Sequence, residues 1–129
     1  MMKNLVQDGG SVTYNQIFAG NEVSALVKGI KLKVGQGVLK RGTVVGLITE
    51  SGLGLLVNKV TTDGSQKAVG VLTDNVDTTV EGEETSVLAQ MYITGIFDGA
   101  ALVFATGTTL SDYERELRTI GIYTKTVQD

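Results

Sequence analysis

Two glycine-punctuated apolar runs constrain this chain more than anything else in it. The first is Leu39-Lys40-Arg41-Gly42-Thr43-Val44-Val45-Gly46-Leu47-Ile48, and the second is Thr62-Asp63-Gly64-Ser65-Gln66-Lys67-Ala68-Val69-Gly70-Val71-Leu72-Thr73-Asp74. In each, a turn feeds a strand. Gly42 and the Asp63-Gly64 pair supply backbone freedom, and the β-branched residues behind them favour a pleated, packed surface. Thr43 to Ile48 is nearly continuous in its apolar character, which predicts burial on both faces, and Ala68 to Leu72 reads as a further buried strand. The chain has 17 glycines and no proline, where average usage would place about six prolines in such a length. Its turns are therefore set by glycine.

Further strands follow from periodicity. Ile30, Leu32 and Val34 alternate with Lys31 and Lys33, the pattern of a half-buried strand with lysines on the wet side, where they also guard an edge. The Gly35-Gln36-Gly37 turn comes next. Leu53 to Val60 reads as another strand. A polar, acidic excursion through Asp77, Glu81, Glu83 and Glu84 leads into a strand with Val87, Ala89, Met91 and Ile93 on one face. Asp98 to Ala105 is ambiguous: alanine favours a helical turn, while Val103 and Phe104 favour extension, and the reading adopted is a short helix beginning near Asp98. Ser111-Asp112-Tyr113-Glu114 fits a capping box, with Tyr113, Leu117 and Ile120 on one helical face, Arg118 in the last turn and Gly121 as a left-handed stop. Ile122 to Val127 completes the strands.

The expected fold is mainly β, a small β-barrel or sandwich domain with one or two short helices and an N-terminal arm. Residues 1–20 form the arm and residues 21–129 the β-rich domain. Within the arm, Asp8-Gly9-Gly10-Ser11 is flexible, Val12 to Phe18 has strand-like chemistry, and Ala19-Gly20-Asn21 is a turn. At 129 residues the chain suffices for one domain that folds without staples.

Composition argues against catalysis. The absence of cysteine and histidine removes disulfides, thiolate ligands, and the commonest metal ligand and general base. Asp63, Asp74, Asp77 and Asp98 offer carboxylates for acid–base work, yet each lies in or beside a turn signal where aspartate caps its own backbone. Asp74-Asn75-Val76-Asp77 lacks the ligand spacing and closing glutamate of a calcium loop. Gly35-Gln36-Gly37 and Gly52-Leu53-Gly54 lack the third glycine and the helix of a phosphate site. A Ser24–Lys28 pairing has only proximity behind it. The expectation is no enzyme, no cofactor and no metal. Net charge is −3 with both signs scattered, and tryptophan is absent, so neither nucleic acid nor membrane is an expected partner. The Lys40-Arg41 step can pair with a partner's carboxylates or simply solvate a turn.

The Lys-Arg-Gly-Thr-Val-Val-Gly turn at 40–46, the Asp-Gly-Ser-Gln turn at 63–66 and the Gly-Val-Leu strand at 70–72, closing on Asp74 and Asp77, together resemble one known family. It is the lambda-type head decoration (capsid cement) proteins of tailed bacteriophages. The similarity continues through Ile93-Thr94-Gly95-Ile96-Phe97-Asp98 and Leu117-Arg118-Thr119-Ile120-Gly121-Ile122-Tyr123, and so runs from roughly residue 17 to residue 125. The resemblance implies a virion structural protein that joins the outer surface of the expanded head as homotrimers and cements the major capsid protein lattice. It implies residence in the host cytoplasm before assembly and on the capsid afterwards. The matching positions, Gly42, Gly46, Asp63, Gly64, Gly70, Asp77, Gly95 and Gly121, are expected to define turns and core rather than contacts. Capsid contact is expected from the arm, where residues 8–18 can add a strand to a shell edge with Val12, Tyr14, Ile17 and Phe18 filling pockets. Two other readings use the same glycine-rich turns: another virion module such as a tail or neck component or a surface adhesin, and a small ligand-binding or enzymatic barrel.

Overall fold

The computed structural model describes residues 18–20, 24–79 and 84–125. In chain order the elements are β1 (Phe18–Gly20), β2 (Val27–Lys33), β3 (Val38–Leu39), β4 (Val44–Leu47), β5 (Gly54–Leu56), β6 (Ala68–Leu72), β7 (Val76–Asp77), β8 (Ser86–Tyr92) and β9 (Gly95–Asp98). A 3-10 turn (Gly99–Ala101), α1 (Leu110–Thr119) and β10 (Ile122–Lys125) follow. Strands β2, β5, β4, β6 and β8 close a barrel in that order. Beside it lie a three-stranded sheet, β1-β9-β10, and a small β3-β7 ribbon. The chain is mainly β, as its turn spacing predicts.

Two cores explain why the central runs are apolar throughout. Val45 and Leu72 point into the barrel with Ile30, Leu32, Leu39, Ala89 and Met91. Their neighbours Val44 and Val71 turn the other way, onto a second core with Val57, Ala68, Phe97, Leu102, Tyr113, Leu117 and Ile122. Successive strand residues face opposite sides, so only a strand with a core on each face can bury both Val44 and Val45 completely. The outer core is roofed by α1, β9 and β10.

Strand β2 shows the expected alternation, with Ile30 and Leu32 buried and Lys31 and Lys33 exposed. It is not an edge. β8 pairs along its whole length, from Val27↔Tyr92 to Lys33↔Ser86, and on the other side it meets β5 through the single pair Leu32↔Gly54. Gln36 completes that thin seam. Its amide nitrogen donates to Lys33 O (2.8 Å) and Gly54 O (3.0 Å), and its Oε1 accepts from the Leu56 N–H (2.9 Å). The side chain thus supplies the hydrogen bonds that a strand residue would have made to β5. The strand expected over Leu53 to Val60 shortens to three residues because the chain leaves the barrel at Val57, whose side chain enters the outer core.

Helix α1 begins earlier than expected. Thr109, not Ser111, is the N-cap, and the Asp112 carboxylate accepts from the Thr109 N–H (2.8 Å), the place expected for Glu114. The reason is packing: Leu110 lies against the outer core, so the first turn must already have formed there. Glu114 instead accepts from the Thr124 hydroxyl (3.2 Å). Tyr113 and Leu117 are buried as expected, but Ile120 falls at the C-cap and is 37% exposed. Gly121, at φ +94°, ends the helix. The turn expected near Asp98 is a 3-10 turn capped by that residue.

Candidate functional site

Each aspartate singled out as a possible acid or base is engaged with its own turn. Asp63 Oδ1 accepts from the Ser65 N–H (3.0 Å) and hydroxyl (2.5 Å), and these bonds to the ionised form hold its carboxyl below the ordinary value. Asp74 accepts from the Thr73 hydroxyl (3.1 Å), Asp77 from the Thr79 N–H (2.8 Å) and Asp98 from the Ala100 N–H (3.0 Å). Asn75 Oδ1 accepts from the Arg41 N–H (2.8 Å), fixing the 40–42 turn against the end of β6. Among the described residues no group of three or more acidic side chains is placed to hold a metal ion, and no helix is long and apolar enough to cross a membrane.

The glycines of the motif positions mark close approaches. Gly46 and Gly70 lie within strands β4 and β6 rather than in turns. A Cβ on Gly46 would sit 2.1 Å from Ser65 O, and one on Gly70 2.6 Å from Met91 Sδ. Gly64 combines φ +106° with a Cβ position 2.0 Å from Thr49 Oγ1, so the 63–66 turn can lie flat on β4 only with glycine there. Gly42 packs on the Ala101 carbonyl, and Gly95 opens β9 against the Phe97 ring. These positions build the barrel and its turns.

The surface offers a different pattern. Val12, Tyr14 and Ile17 lie outside the described residues. Phe18 opens β1, which pairs antiparallel with β9 through Phe18↔Phe97 and Gly20↔Ile96. The last residues of the arm segment therefore share a sheet with the body of the chain. Thr94 ties down the chain that follows: its hydroxyl donates to Ser24 O (2.6 Å) and accepts from the Leu26 N–H (3.1 Å). Around this root several apolar side chains face solvent, with Leu26 54% and Val27 48% exposed. Ile120, at the C-cap of α1, is 37% exposed, and Tyr123 in β10 is 39% exposed. Val38, Val60 and Leu88 are exposed elsewhere.

Sequence reasoning misses the groups that lock the fold. Besides Gln36 they include Thr78, which is fully buried, accepts from the Gln36 N–H (2.9 Å) and donates to Gly37 O (2.6 Å). Glu116 is another: it reaches from α1 to accept the Ala68 N–H (2.7 Å), where the β4–β6 register shifts. Tyr113 donates its hydroxyl to Gln66 O, and burial pushes its phenol up from the ordinary value. None of these contacts has a local sequence signal, since partners are 41 to 48 residues apart.

No curated protein matches the chain. The family described as bacteriophage lambda head decoration protein D matches residues 9–120, which covers the barrel, all of α1 and every residue of the outer core but Ile122. That family consists of structural proteins of the phage head, not enzymes, and the match extends over most of the sequence. The chain belongs to the bacteriophage lambda head decoration protein D family.

Proposed function

We propose that this protein binds the outer surface of the expanded phage head as homotrimers and stabilises the major capsid lattice. The observation that carries the reading is family membership over residues 9–120, a span that takes in part of the arm as well as the barrel. Support comes from the exposed Leu26 and Val27, which follow directly on the Ser24–Thr94 bond at the arm's root, because exposed apolar side chains beside an arm suit a surface that meets a partner.

The mechanism proposed is strand addition. Residues 8–17 precede β1, whose one edge is taken by β9 and whose other edge carries no strand among the described residues. A shell strand joining the arm gains main-chain hydrogen bonds, and Val12 and Tyr14, with either Ile17 or Phe18, supply the side chains that fill its pockets. In a trimer the second and third arms bind effectively intramolecularly, which raises avidity by about 10² to 10⁴.

Deleting residues 1–17 leaves β1 and both cores in place. The truncated protein is expected to keep its fold and oligomeric mass yet fail to co-sediment with expanded, undecorated heads. Head binding equal to that of the full chain would refute the arm mechanism. Light scattering on the full chain is expected to give the mass of three copies.

A further inference from the structure

The Lys40-Arg41 step before β4 is the one motif that the fold does not absorb. Arg41 begins from a fixed point: its N–H is held by Asn75 Oδ1 (2.8 Å), and the following Gly42 donates to Leu72 O (3.1 Å) while packing on the Ala101 carbonyl. Its side chain is half-buried. The Nε–H is out of reach of solvent and without an acceptor, the only buried side-chain polar atom so placed among the described residues. No carboxylate of the described residues lies within ion-pair distance of its guanidinium. A partly desolvated guanidinium with no direct ion pair favours an incoming anion more strongly than an exposed one does.

Arg41 lines a hollow of about 410 Å³ with Val27, Thr73, Asp74, Gln90 and Tyr92. We infer that this hollow receives a single aspartate or glutamate side chain of the major capsid protein, with Arg41 as its ion-pair partner. The charge of the occupant follows from the lining. Arg41 attracts an anion, and Asp74 in the same wall opposes more than one negative charge, so a carboxylate fits where a phosphate dianion does not. The amide N–H of the Gln90 side chain suits the same group.

The source of that carboxylate follows from location. The chain runs from Gly20, paired with Ile96, to Ser24, bonded to Thr94, and on to Val27, which lines the hollow. The hollow thus opens beside the arm's root, and Val27, 48% exposed, gives it an apolar edge. A shell subunit that holds the arm is brought to this place. The assignment therefore rests on the head-binding reading, and its test separates the two.

Full-length Arg41→Gln and Arg41→Lys proteins are compared with wild type and with the 1–17 deletion for binding to expanded heads. Arg41→Gln is expected to weaken binding about tenfold or more at unchanged oligomer mass and melting temperature, and Arg41→Lys to restore part of the loss, since a lysine keeps the charge but not the planar fork. Wild-type affinity in Arg41→Gln, alongside lost binding in the deletion, overturns the Arg41 assignment and leaves the arm standing. Failure of wild type to bind removes both. Should Arg41→Gln not fold, phenylglyoxal modification of the wild-type protein decides: Arg41 should react in the free oligomer and be protected on heads. Equal reactivity in both states, or none in the free protein, overturns the assignment.

Discussion

At the scale of single residues, Gln36 does the work of a strand. β2 and β5 share one backbone pair, and the three side-chain bonds of Gln36 close the rest of the seam. Each such bond contributes about 1 kcal/mol net, so Gln36→Ala should lower unfolding stability by about 2–3 kcal/mol. Urea titration checks this, and a midpoint equal to wild type would refute the clasp. Nothing in Gly35-Gln36-Gly37 marks the glutamine in advance, because any turn between strands tolerates one. The aspartates were legible for the opposite reason: their partners lie within two residues, where sequence alone fixes the geometry. Asp63 also predicts a pH effect. Its folded carboxyl sits below the ordinary value because Ser65 bonds the ionised form. The stability it contributes is therefore present above the usual carboxylate range, about pH 4, and is lost as pH falls through the lowered folded value. The difference in melting temperature between wild type and Asp63→Asn should be full near neutral pH and close in acid. A gap that widens in acid would contradict it.

At the scale of elements, periodicity located strands better than it located ends. Ala68 to Leu72 coincides with β6, and the alternation at Ile30 and Leu32 and at Ala89 and Met91 names the side chains inside the barrel. The helix start was shifted because two capping patterns overlap: Thr109 with Asp112, and Ser111 with Glu114. Only the burial of Leu110 decides between them, and that is a tertiary fact. The helix is held to the barrel by polar reach as well as by Leu117. Glu116 satisfies the Ala68 N–H at the β6 irregularity, and removing it strands that donor at a part-buried site. Glu116→Ala should cost about 1–3 kcal/mol, with Glu116→Gln milder because its amide oxygen still accepts. Thermal unfolding measures both; an Ala variant as stable as wild type would show that α1 docks by apolar packing alone.

At the scale of the whole molecule, the two cores share strands β4 and β6, which is why those runs are apolar throughout. Family and fold were thus written in the same residues: Gly46, Gly64 and Gly70 are where the shared strands and their turn come too close for a side chain. On the proposed reading, contact with the shell is made outside those residues, at the arm and the surface around its root. Its exposed side chains were not legible in sequence: Ile120 falls on the helical stripe with Tyr113 and Leu117 that reads as core, and no pattern marks Leu26 and Val27 as exposed. A protein acting as head cement must add to the shell in many copies and make it harder to disrupt. The direct measurement is to titrate the purified chain onto expanded, undecorated heads of its parent phage, following bound protein by sedimentation and head integrity on heating. Saturable binding in multiples of three, with a rise in the disruption temperature of the heads, is the predicted result. Heads that take up no protein, or that bind it without any gain in stability, would contradict the account.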